Sequence, residues 1–221
     1  MTSFDRISRQ RLGAFVALTL ALALALSLSA CLPAPESKEG AVLPGVVMAS
    51  SIAVAHTPTG GYGKTFPPPV LATCTEPLSP GAPDLRGIWK VLRAERGGKT
   101  APPGDPIYGY VERIEQCGNR IVDMGGGTVS DGRADGTFKN AIHDVSAFGY
   151  TKPIHVIVTY EKGVFVLRPV LWPKVPFTIP GLKVTRALDA EGHMVWTRPD
   201  RGGLYVTLER IGGPNDPYTN Q

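Results

Sequence analysis

Between Asp84 and Ile211 the chain is a succession of short β-branched or aromatic runs cut by glycine-containing turns, and no part of it carries a sustained helical period. Strands are expected at 87–93, 110–117, 120–124, 137–142, 154–160, 164–169, 184–188, 193–198 and 204–211. Gly118-Asn119 is spaced as a two-residue hairpin turn, Glu161-Lys162-Gly163 joins the two most apolar runs, and 189–192 joins another pair. These short connections require antiparallel neighbours. The expected fold is therefore all-β, a single antiparallel up-and-down barrel of about eight strands, because closure removes exposed edges. Its size, about 130 residues, suits one domain.

Upstream the composition is different. Arg6, Arg9 and Arg11 precede a 17-residue apolar run, 12–28, that ends in small residues, the order of an export signal. A membrane-spanning helix needs about 20 apolar residues, so an uncleaved span fits less well. Region 31–80 holds Pro33, Pro35, Pro44, Pro58 and the triplet Pro67-Pro68-Pro69 among small residues. Prolines at this density forbid helix, and small side chains offer little surface to bury, so a flexible tether is expected there. Within it, 41–55 is apolar enough to pair locally or to lie on a surface. The division expected is a signal peptide over 1–30, the tether over 31–80, the barrel over 81–213 and a polar tail over 214–221. Loss of 1–30 removes three arginines and one aspartate and leaves 20 basic against 18 acidic residues. With no Lys/Arg run to bind phosphates, nucleic acid is not an expected partner.

Leu28-Ser29-Ala30-Cys31 resembles the lipobox of bacterial lipoproteins. That resemblance implies cleavage before Cys31, lipid attachment to Cys31 and anchoring in a membrane. Leu32 rather than Asp follows the cysteine, which in Gram-negative bacteria points to the outer membrane, facing the periplasm. A second resemblance lies in Asp84-Leu85-Arg86-Gly87-Ile88-Trp89-Lys90, which is similar to the Gly-x-Trp entry of the first strand in lipocalins and their smaller relatives. It implies a lipocalin-like barrel closed at its base by Trp89, with Arg210 packed as a cation on the Trp89 ring. The late-strand Thr-Asp-Tyr type motif of true lipocalins has no counterpart here, and on the residues alone Gly-x-Trp also suits a sandwich strand with a core tryptophan. With Cys31 given to lipid, Cys74 and Cys117 remain, and in an oxidising envelope they are expected to form a disulfide; the alternative is a free Cys74 and a buried Cys117.

Catalytic motifs are missing. Gly61-Tyr62-Gly63-Lys64-Thr65 ends like a phosphate loop, but Pro58 stands where its first glycine belongs. Asp131-Gly132-Arg133-Ala134-Asp135-Gly136 begins like a calcium loop, yet Arg133 occupies the third position and Ile142 replaces the bidentate Glu, so 131–136 is expected to be a loop or a pair of turns. His56, His143, His155 and His193 lack metal-ligand spacing. Glu112 and Glu115, three apart on a strand, face opposite ways and form no carboxylate pair. No enzyme activity, catalytic residue, metal or cofactor is expected. Two functions stay open: a barrel that binds or carries a small hydrophobic ligand, with 171–180 as a lid presenting Trp172, Phe177 and Ile179, or a filled barrel that serves as a tethered module contacting another envelope protein.

Overall fold

The computed structural model describes residues 45–137, 141–143, 154–171, 177–178 and 182–219. Among these the strands are β1 (Gly87–Arg96), β2 (Lys99–Thr100), β3 (Val111–Cys117), β4 (Arg120–Gly125), β5 (Thr128–Arg133), β6 (Ala141–His143), β7 (Ile154–Glu161), β8 (Val164–Leu171), β9 (Phe177–Thr178), β10 (Val184–Leu188), β11 (Met194–Arg198) and β12 (Leu204–Gly212). Ten of them form a nearly closed up-and-down barrel in which neighbours run antiparallel, β12 pairs back onto β1, and β10 pairs with both β11 and β8. β2 folds back on β1 and β9 on β8. The all-β barrel expected from the sequence is present.

Besides the two-residue β2 and β9, one strand of the barrel itself, β5, was not expected. Gly126 and Gly127, both at positive φ, form the two-residue turn that suits the twist of a hairpin, and they reverse β4 into β5. The loop expected over 131–136 is thereby corrected: Asp131, Gly132 and Arg133 are the end of β5, and the chain leaves the sheet only after Arg133. Of the strand expected at 137–142, Thr137 lies outside the sheet and Ala141 and Ile142 fall in β6.

Register divides the side chains by face. Glu112, Ile114 and Gln116 of β3 point into the barrel with Ile121 and Asp123 of β4, whereas Arg113, Glu115 and Cys117 point out with Arg120, Val122 and Met124. The interior carries Trp89, Val91, Ala94, Val158, Phe165, Met194, Val206 and Leu208, all buried. All seven residues of β3 are buried, so its outer face is covered too.

The cover is the segment expected to be a tether. Ala49 and Leu71 are buried with Cys117, Val122, Met124 and Val129, and Ile52, Ala55, Tyr62, Phe66 and Val70 pack around them. From Gly45 onward this part of region 31–80 is therefore a strap docked on β3–β5. The helix-free expectation is corrected by one short 3-10 turn, Ala49–Ser51, which lies clear of any proline, and proline content does not exclude burial, provided that backbone polar groups find partners. Charged side chains of the barrel's outer face supply them. Arg120, 1 % exposed, donates from Nη1 to Ala49 O (2.8 Å) and Ile52 O (2.7 Å), and from Nη2 to Ala53 O (2.7 Å). Its Nε and Nη2 also meet Asp131 Oδ1 and Oδ2 at 2.9 and 2.6 Å, and Asp131 Oδ2 accepts the Ala55 N–H (2.7 Å). Further along, Glu115 Oε2 accepts the Val70 and Leu71 N–H groups, both at 2.7 Å, while from the inner face Gln116 Oε1 accepts that of Leu85, just past the strap, at 2.7 Å. A disulfide joins Cys74 to Cys117. The end of the chain adds to the strap through a Thr65–Thr219 bridge and a Phe66–Tyr218 ring contact.

Arg120→Ala would leave Asp131 as an uncompensated buried charge and release 49–55, with an expected loss of about 3–5 kcal/mol in urea unfolding and faster amide exchange confined first to those residues. Replacing Cys74 and Cys117 with Ser opens a loop of sequence separation 43. The chain-entropy relation sets that loss at about 4 kcal/mol, and unfolding midpoints with and without reductant measure it.

Candidate functional site

The barrel's first strand is fixed at its start by backbone geometry. Gly87 sits at φ +145°, and a Cβ there would meet Gly212 O at 2.9 Å and the Arg210 side chain at 3.1 Å, so only glycine permits this approach of β1 to β12. Two residues later Trp89, fully buried, donates from Nε1 to Leu85 O (2.7 Å). Arg210 is its register partner on β12; the guanidinium carbon lies 4.7 Å from the indole centroid, and Nη2 donates to Asp84 O (3.0 Å). The two residues singled out as a barrel-closing pair are thus brought together.

A second cluster occupies the interior beside them. Arg186 on β10 donates from Nε and Nη2 to Glu112 Oε1 and Oε2 on β3 (3.2 and 2.8 Å) and from Nη2 to Asp123 Oδ2 on β4 (2.6 Å). Its guanidinium also lies 5.8 Å from the Phe165 ring centroid and 5.4 Å from that of Trp196. Tyr110 donates to Glu112 Oε2 (3.0 Å) and stacks on Trp196 with centroids 5.1 Å apart. Asp123 Oδ1 and Trp196 Nε1 are buried without a hydrogen-bond partner among the described residues.

The cluster sets its own protonation. Burial would lower the Arg186 pKa, but the Asp123 and Glu112 carboxylates outweigh it and hold the guanidinium firmly charged. Burial pushes the Asp123 carboxyl up to about 7, a rise that Arg186 opposes and Glu112 reinforces. The push is softened by water, since 18 % of the Asp123 side-chain surface remains exposed. Burial, with Glu112 and Asp123 nearby, also raises Tyr110 well above the ordinary phenol range and keeps it a donor.

On the outer face a smaller ion pair lies under the strap. Arg113 Nε is 3.3 Å from Glu115 Oε1, both side chains being 2 % exposed, while Nη2 donates to Pro67 O and the guanidinium covers the Phe66 ring at 5.2 Å. Burial lowers the Arg113 pKa and raises that of Glu115. Glu112 and Glu115 therefore do face opposite ways, each with its own arginine.

Two of the concavities on the described surface lie near these clusters. One, of about 300 Å³, lies between the strap and the β3–β4 end of the barrel and is lined by Tyr62, Lys64, Phe66, Tyr110 and the Gly126–Gly127 turn. The other, of about 530 Å³, is a shallow depression beside Asp84, Arg86, Arg210 and Pro214. Asp189, Glu191 and His193 bring ligand-type atoms within 4.8 Å of one another on an exposed turn. Asp189 Oδ1 already accepts the Glu191 and His193 N–H groups (3.0 and 2.8 Å), which accounts for the turn.

Of the other residues singled out from the sequence, Cys31, Trp172 and Ile179 lie outside the described residues. The Phe177 backbone belongs to β9 and pairs with Leu171. The interior cluster and the Arg120–Asp131 pair were not anticipated. Their signal was a surplus of Arg, Asp and Glu inside strand-like runs, at positions such as Glu112, Arg120, Asp123 and Arg186. No family model matches this chain, and no curated protein matches it either.

The raised Asp123 carboxyl fixes a pH dependence. Between the ordinary carboxyl range and about pH 7 the folded protein retains a proton that the unfolded chain has released, so this group's contribution to stability falls as pH rises through that window. Asp123→Asn should therefore gain stability relative to the parent between pH 4 and pH 8, on the order of 2–4 kcal/mol, in urea unfolding at the two pH values.

Proposed function

We propose that this chain is a lipid-anchored envelope lipoprotein, held through Cys31 at the outer membrane and facing the periplasm, whose lipocalin-like barrel is filled and acts as a non-catalytic interaction module contacting another envelope protein. The observation that favours a filled barrel over a carrier is the Glu112–Arg186–Asp123 cluster, which spans the interior between β3, β4 and β10. A hydrophobic ligand seated at that level would have to part buried charges that satisfy one another, and stranding one such charge costs about 3–5 kcal/mol. The Trp89 and Trp196 rings and Met194 take up further interior volume. Both concavities lie at the barrel's margins and are lined in part by backbone and charged side chains.

The chemistry of the cluster suits this role. Arg186 has two carboxylates and two aromatic faces as partners, and Tyr110 stays protonated as a donor, which suits a structural plug.

Native mass spectrometry of the full chain, expressed with its own signal and extracted from envelopes, is expected to show polypeptide from Cys31 plus acyl mass and nothing further. A copurifying small molecule that leaves on denaturation would return the assignment to a carrier. Cys31→Ser is expected to move the protein from the membrane fraction to the soluble fraction.

A further inference from the structure

The strap begins with ten residues, 46–55, none of which is charged: Val46, Val47, Met48, Ala49, Ser50, Ser51, Ile52, Ala53, Val54 and Ala55. Ala49 points inward and is buried, but Val47 is 38 % and Val54 53 % exposed, and both count among the most exposed large apolar side chains of the described residues. Ala53 is also exposed, and Val46, Met48 and Ile52 are half-buried. This surface is held in shape from beneath. Arg120 grips the carbonyls of Ala49, Ile52 and Ala53, Glu76 Oε2 accepts the Ala49 N–H (2.8 Å), and Thr75 Oγ1 accepts that of Val47 (2.9 Å).

Position along the chain decides what such a surface meets. Thirteen residues separate Cys31 from Gly45. Even fully extended they reach only roughly 45 Å. If Cys31 carries the lipid, as the proposed function has it, 46–55 is the part of the docked domain nearest to the lipid along the chain. It carries no charge that would have to be desolvated there. We infer that the outward face of 46–55, centred on Val47 and Val54, rests on the lipid surface and orients the barrel with its strap toward the membrane. This inference depends on the anchored reading.

The test uses the full, acylated chain carrying Val54→Cys, or Leu92→Cys as a reference site on β1. With Cys31 acylated and Cys74 and Cys117 bridged, the added thiol is the free one, and it takes an environment-sensitive NBD label. The labelled proteins are reconstituted on vesicles of phosphatidylethanolamine and phosphatidylglycerol, with and without spin-labelled lipid. At position 54 the emission is expected to shift to the blue and to be quenched by the spin-labelled lipid, while at 92 it stays water-like and unquenched. Val47→Cys should repeat the result. Protein that floats with the vesicles but shows water-like, unquenched emission at both 47 and 54 overturns the orientation while leaving the anchor intact. Protein that neither floats nor carries acyl mass on Cys31 refutes the anchor, and the inference falls with it.

Discussion

Arg120 is the group on which the two layers of this protein converge. Each of its five N–H donors has a partner: two meet the Asp131 carboxylate within the sheet, and three meet carbonyls at and just after a single 3-10 turn, Ala49–Ser51, in an otherwise irregular part of the strap. A planar guanidinium can do this because its fork presents donors on two edges at once, which an ammonium cannot. The strap needs it because a non-repetitive segment buried against a sheet would otherwise leave several carbonyls without water or partner. Removing the strap would in turn expose Val122, Met124 and Val129 together with a row of charges selected for burial. Strap and outer face are therefore conditional on one another, and the Cys74–Cys117 bridge fastens covalently what Arg120 holds by hydrogen bonds.

The interior uses the same device for a different end. Glu112, Asp123 and Arg186 come from three strands and are separated by 63 to 74 residues in the chain where they bond. Burying such a group adds little net stability, because desolvation offsets the Coulombic attraction. Its effect is on register. A one-residue slip of β10 would turn Arg186 to the outside and bring Thr185 in, leaving both carboxylates stranded. In a barrel whose β6 pairs with its neighbours over only a few residues, a fixed cross-link between distant walls limits the alternatives that loose edges would allow.

The same division separates the legible parts of the fold from the hidden ones. The strands that alternate apolar residues or are capped by glycine turns were legible: β1, β3, β4, β7, β8, β10, β11 and β12 all fall where periodicity places them, because local pattern determines them. β5 was not, since Thr128 to Arg133 holds Ser130, Asp131 and Gly132, and becomes a strand through pairing with β4 rather than through propensity. The strap was hidden for a related reason. Proline density describes what a segment cannot form by itself, whereas its burial is decided by Arg120, Asp131 and Glu115, which lie 44 to 76 residues away. The disulfide and the Trp89–Arg210 contact were legible from the chain as specific pairs. The interior triad required knowing which walls face each other across the barrel.

On the anchored reading, the order of attachments along the strap has a mechanical meaning. A pull arriving from Cys31 first meets the Val47–Thr75 and Ala49–Glu76 contacts and the Arg120–Asp131 clamp at 49–55, and only behind them the Cys74–Cys117 bridge. Non-covalent contacts there yield one by one, but the bridge stops peeling before it can reach the Gln116 contact with Leu85 that seats the start of β1. Displacing 45–73 would therefore expose the outer faces of β3, β4 and β5 without breaking the ring of strand pairings or the interior triad, neither of which uses a strap residue. Loss of the cover would thus cost stability at the outer face while leaving the register fixed from inside. On that reading, an internally locked barrel with an externally latched strap lets one chain be both a rigid module and the end of a membrane anchor.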